Sequence, residues 1–240
     1  MGLPNQFNDI IQRDLNVHAA WLPITQNYVL GDYGLISDGV FSKLGNISEF
    51  NVSFQQSTGP GTSINYKSDI SRVTKFAGGA EVQAIPASAI DAKVTLKFEK
   101  EQSFLIKSPS IKVNAIGNVQ QVANQLKKAP GWKRKWTVVF ETYHAEEPVV
   151  MSTKEKGTEI SFSGDAAALE SLNLGKTGVS FSVEGNKAIG LDIQGKAGII
   201  ALGLFKLKLI GGGPTFLSEE EKKGDAEIEY LNKKVLENDL

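Results

Sequence analysis

AKVTLKFEKEQSFLIKSPSIKV, residues 92–113, is the stretch on which the fold turns. Ala92, Val94, Leu96 and Phe98 alternate with Lys93, Thr95, Lys97 and Glu99. Successive side chains of a strand point to opposite faces, so this is a two-faced strand, apolar on one side and charged on the other. A polar turn over 99–102 follows, and the chain returns through Phe104 and Ile106, which predicts an antiparallel pair. Leu105 lies on the face opposite those two, and Pro109 interrupts the returning strand.

The same alternation recurs on both sides. KWTVVFETYHAEEPVVMSTKEKGTEISFSG (135–164) reads as strand, turn at 146–148, strand, turn at 156–157, strand. GVSFSVEGNKAIGLDIQGKAGIIALGLFKLKLI (178–210) adds strands divided by Gly-Asn and Gly-Lys turns. Upstream, VHAAWLPI (17–24) is a short strand ended by Pro23, Gly-Asp and Asp-Gly pairs punctuate 28–54, and 65–76 is a weaker strand region before Gly78 and Gly79. Two helices stand out. Asn5 can cap one over 5–15, with Phe7, Ile10, Ile11 and Leu15 on one side, and Asn118 can cap another over 118–128, with Val119, Val122, Ala123 and Leu126 sharing a face. The expectation is an α+β fold: a twisted, mostly antiparallel sheet with a few flanking helices and a short C-terminal segment packed back on the domain.

The texture changes at GGGPTF (211–216). A flexible break leads into a charged tail in which Ile228, Leu231 and Val235 form one narrow helical stripe. We therefore divide the chain into a β-rich domain, 1–213, and a C-terminal segment, 214–240.

Composition narrows the function. The 240 residues are 41% hydrophobic, enough for a sizeable core, and carry 26 basic against 27 acidic residues, which gives no pull toward nucleic acid. The absence of Cys removes disulfides, thiol nucleophiles and thiolate metal sites. No secretory signal or long apolar run is visible, and the expectation is a soluble protein. His18 and His144 each fall in a strand, away from other ligands at metal spacing. Asp32 and Asp38 flank a Gly-rich turn without the oxygen spacing of a calcium loop, and turn chemistry accounts for them. No phosphate cradle follows the glycine run. The sequence predicts no catalytic residue, metal or cofactor.

One cluster remains. Lys127, Lys128, Lys133, Arg134 and Lys135 surround Trp132 and Trp136 where the second helix meets a strand. Basic residues beside Trp suit an anionic membrane surface; an exposed turn with one Trp tucked into the core is the plainer reading.

In the order of its parts the chain resembles the pore-forming domain of gasdermins, most like the short bacterial members. The resemblance runs from the first helix into NVHAAWLPI (16–24), through KFAGGAEVQ (75–83) and the pair at 92–113, the helix NVQQVANQL (118–126), the pair at about 136–163, the closing strands and a short C-terminal appendage. Bacterial gasdermins commonly carry an acylated N-terminal cysteine, which this chain lacks. The resemblance implies a protein that is cytoplasmic when inactive and at the membrane when active, released by a protease and assembled with its own copies into a β-barrel pore. Val94, Leu96, Phe98, Phe104 and Ile106 would then enter the membrane. Lys127, Lys128, Trp132, Lys133, Arg134 and Lys135 would meet lipid headgroups, with Phe216, Leu217, Ile228, Leu231 and Val235 holding the inhibitory segment and Lys222 and Lys223 open to cleavage. The alternative is a non-enzymatic soluble β-rich interaction or assembly protein, whose alternation packs an ordinary core.

Overall fold

The computed structural model describes residues 2–22, 25–67, 71–101, 103–170, 179–184, 189–208 and 213–217. From the N-terminus the chain forms α1 (Leu3–Leu15), β1 (His18–Ala19), β2 (Asp32–Ser37), β3 (Val40–Asn46) and a 3-10 turn, Ile47–Phe50. It continues through β4 (Gln56–Thr58), β5 (Thr62–Lys67), β6 (Ser71–Ala77), β7 (Ala80–Val82), β8 (Ala92–Phe98) and β9 (Phe104–Ile116). Then come α2 (Val119–Lys128), β10 (Thr137–Glu146), β11 (Val149–Thr153), β12 (Thr158–Ser163) and α3 (Ala166–Glu170). The last described strands are β13 (Ser180–Glu184), β14 (Ile189–Gln194), β15 (Ala197–Leu207) and β16 (Pro214–Phe216).

Eleven of these strands make a large sheet ordered β1-β15-β10-β9-β11-β14 along its main path, and five make a small sheet ordered β13-β12-β8-β6-β7. Every ladder among the described residues is antiparallel. The α+β expectation holds.

The pairing of the opening stretch needs correction. β8 lies in the small sheet between β6 and β12, while β9 lies in the large sheet beside β10, β11, β4 and β5. These consecutive strands do not pair, although only five residues separate them in sequence. The cause is the start of β9, where Phe104, Leu105 and Ile106 are all buried, so both faces need cover. Leu105 points to the core shared with Val94, Leu96, Phe98, Ile160 and Phe162 of the small sheet. Phe104 and Ile106 point the other way, against Phe7 and Ile11 of α1. The layers are thus small sheet, large sheet, helix. The stretch 136–163 divides in the same way, β10 and β11 pairing with β9 and β12 with β8.

Pro109 does not break β9, which runs through it to Ile116. β10 pairs with β9 only as far as Ser110, and β11 takes over at Lys107. Pro109, which lacks an N–H, therefore sits where neither ladder asks for one. The next strands share this jog. Glu147, at φ 44°, and Pro148 separate β10 from β11, and Gly195 and Lys196 separate β15 from β14. The Ser108 hydroxyl donates to the Glu146 carbonyl at 2.6 Å, and the Glu147 N–H donates to the Lys196 carbonyl at 2.8 Å. A seam crosses the large sheet.

Local chemistry explains the element ends. α1 starts at Leu3, two residues before the expected Asn5 cap, because Pro4 tolerates the first turn and Gly2 takes the capping position. Asn5 instead lies under the β2–β3 turn: a Cβ on Gly39 would stand 2.8 Å from its Cα. That turn has φ 51° at Asp38 and 73° at Gly39, the conformation for which Asp-Gly is selected. α3 was not expected; its five residues are too few to show a period, and Asp165 caps it by accepting from the Ala168 N–H at 2.8 Å.

Candidate functional site

The apolar face of β8 is closed off. Val94, Leu96 and Phe98 have 0, 2 and 0% of their surface exposed, as alternation predicts. The other face is polar, with Lys97 paired to Glu159 at 2.9 Å and the Thr95 and Ser161 hydroxyls 2.9 Å apart. The small sheet is amphipathic as a body, with its apolar side turned inward. Phe104 and Ile106 are buried as well, but in the core under α1, where the rings of Phe7 and Phe104 lie 4.8 Å apart.

The basic cluster sits on a platform of rings. Lys127 and Lys128 end α2, which a cation in the last turn favours, and Val122, Ala123 and Leu126 anchor the helix beneath. Gly131, at φ 81°, turns the chain, and Lys133, Arg134 and Lys135 are exposed. Trp132 and Trp136 are half-buried and stack with Tyr33 and Phe50 at centroid distances of 4.7–5.5 Å for the closest pairs. The Lys133 ammonium lies 5.5 Å over the Trp136 ring, and the buried Trp132 indole N–H has no partner. Both tryptophans are therefore fixed in the domain, beneath a ridge of cations.

Phe216 and Leu217 meet the body. β16 pairs with β15 through Phe216 and Phe205, Phe216 stacks on Phe140 at 4.9 Å, and Leu217 packs near Leu202 and Leu204. Ile228, Leu231, Val235, Lys222 and Lys223 lie outside the described residues.

The histidines do not meet. His144 is exposed, whereas His18 is buried, and burial lowers its pKa to about 4. Asp32 is fully buried and structural: it accepts from the Val29 N–H at 2.9 Å and the Asn46 amide at 3.0 Å and pairs with Lys43 at 2.9 Å. Asp38 serves the turn. Among the described residues no group of three metal-ligating side chains occurs, and no helix there is long and apolar enough to cross a membrane.

Sequence reasoning missed a cavity of about 210 Å³ at the edge of the large sheet, bordered by His18, Glu141, Tyr143 and Phe216. Its residues come from five elements, α1, β1, β10, β15 and β16. A bulge at Phe140 also breaks the alternation that would have placed Glu141, so no sequence signal reveals it.

The sequence matches no family model and no curated protein. The structure is similar to a bacterial gasdermin from Bradyrhizobium tropiciagri, at 14% identity over 88% of this chain and 90% of that one, with a TM-score of 0.37. It is also similar to the gasdermin A3 membrane pore, at 12% identity over 90% and 94% of the two chains, with a TM-score of 0.30. The likeness is a distant, gasdermin-like one of fold, and at these scores function rests on the chain's own residues.

Proposed function

We propose that this chain is a membrane-permeabilising pore former stored with its amphipathic strands buried. The C-terminal segment restrains it, and proteolysis in the segment releases it. Freed subunits bind anionic lipid through Lys127, Lys128, Lys133, Arg134 and Lys135, with Trp132 beneath them, and oligomerise. The stretches 92–113 and 136–163 then extend as hairpins and join edge to edge, because open sheet edges cannot exist in hydrocarbon.

The observation that supports this most is the parting of β8 from β9. Two consecutive strands with a five-residue connection sit in different sheets; β8 faces one core, which Leu105 of β9 shares, while Phe104 and Ile106 of β9 face another. With 7 and 13 residues they bracket the roughly 9–11 that a tilted spanning strand needs. A soluble interaction protein is the second reading, and the full burial of Val94, Leu96 and Phe98 favours it, since an ordinary two-layer core uses such residues in the same way.

Dye release from anionic liposomes separates the two. The full chain is compared with one ending at Leu217, which keeps β16 in the sheet. We expect release from the shortened chain and little from the full one. A shortened chain that folds, binds the liposomes and releases nothing supports the soluble reading.

A further inference from the structure

The core behind β8 lies between the small sheet and the large one, which reaches it through Leu105, Val149 and Met151. Two further pieces that belong to neither sheet complete it. The loop 83–91, between β7 and β8, contributes buried Ile85, and Ala89 packs against the same core. α3 contributes fully buried Leu169, with Ala166 packed beside it. Neither piece has strong support of its own: a helix of five residues is too short to hold by itself, and the loop has left the ladders.

One carboxylate ties them together. Glu170, the last residue of α3, accepts from the Lys75 ammonium at 2.8 Å through Oε1 and from the Ile85 N–H at 2.6 Å through Oε2. Lys75 stands opposite Val94 in the β6–β8 ladder, so it projects from the apolar side of the small sheet, where the core and its two covering pieces lie. A cation on that side needs a partner, and Glu170 supplies it. The bonds from Lys75 and Ile85 hold the Glu170 carboxyl below the usual carboxylate range, so it is charged at neutral pH. The side chains of Glu170 and Lys75 are 35 and 22% exposed, so water can take the place of either bond and the junction can open while the ladders stay intact. We propose that Glu170 is a latch. While it is engaged, α3 and the loop stay shut over the core; when it lets go, they lift together and give access to the apolar face of β8. The opening follows from the fold alone. Its use rests on the pore-forming reading, in which the latch sets how readily β8 leaves the small sheet.

The chain has no cysteine, so one introduced thiol is a unique probe of opening. Ile85→Cys and Leu169→Cys place it under the latch, and Val139→Cys, in a different core, reports on the large sheet. In the full chain at pH 8, Glu170→Ala should speed labelling by dithionitrobenzoate at least tenfold at positions 85 and 169 and less than twofold at 139. Glu170→Gln keeps an acceptor for the Ile85 N–H and should fall between. No acceleration at 85 and 169, or the same acceleration at all three positions, overturns the latch. If a reporter does not fold, hydrogen exchange makes the same comparison without thiols, the Leu169 amide, bonded to the Asp165 carbonyl, being set against the Gly31 amide, bonded to the Val139 carbonyl. Dye release from anionic liposomes by the chain ending at Leu217, with and without Glu170→Ala, then tests the use. Faster release by the variant supports it, and unchanged release despite faster labelling overturns it. Faster labelling with no release from either chain upholds the latch and overturns the pore-forming reading.

Discussion

His18 links one side chain to the stability of the whole. Buried at the edge of the large sheet, it has a pKa near 4 in the folded chain and about 6.5 when unfolded. Between those values the unfolded chain binds a proton that the folded one does not, so this contribution is complete above pH 6.5 and is lost as the pH falls toward 4. The shift corresponds to roughly 3 kcal/mol. The lowered pKa values of Glu146, bonded to Lys112, and Glu170, bonded to Lys75, weaken the fold mainly from near their ordinary value of 4.5 downward, so among the described residues His18 is the group with a resolved shift in the window above it. Between pH 7 and 4.8 the melting temperature should fall for the native chain and stay nearly flat for His18→Leu; parallel curves would show that His18 is not the group responsible. Some single-residue chemistry was legible in the sequence. Asp38 and Gly39 announced their turn, because an Asp-Gly pair between strands has few other uses. The burial of His18 was not, since only the arrival of β15, far along the chain, covers the strand that carries it.

At the scale of elements, alternation identified the strands because it follows from one strand's own geometry. β8 and α2 stand where their patterns put them. Partners are a different matter. Nothing local distinguishes a strand that folds back on its neighbour from one that crosses to a second sheet. The clue was Leu105, an apolar residue on the supposedly polar side of β9, whose burial against the small sheet required the crossing. Pro109 misled for a related reason: whether a proline breaks a strand depends on whether a partner needs its N–H, and at the seam none does. Replacing it tests this. Pro109→Ala should cost no more than about 1 kcal/mol in denaturant unfolding, through the freedom restored to the unfolded chain. A gain in stability would show instead that the proline displaces a ladder bond.

Across the whole molecule, the proposed pore form requires β8 to leave the small sheet, because β6 belongs to neither hairpin stretch. The cores are large enough that this departure needs compensation, which lipid and neighbouring copies would have to provide. In that proposed form the basic ridge and the rings beneath it would give the first contact, and Phe216 and Leu217 would give the clamp a start. Thr74 and Thr95 are direct cross-strand partners on β6 and β8, and such pairs hold their Cα atoms about 4.5–5.5 Å apart, within disulfide range. The chain has no cysteine of its own, so Thr74→Cys with Thr95→Cys creates a single lock. The decisive measurement is dye release from anionic liposomes by this double variant ending at Leu217, oxidised and then reduced. The pore account requires the oxidised protein to bind without releasing dye and the reduced protein to release it. Equal release from both would contradict the departure of β8 from its sheet, and bound protein that releases nothing in either state would contradict pore formation itself.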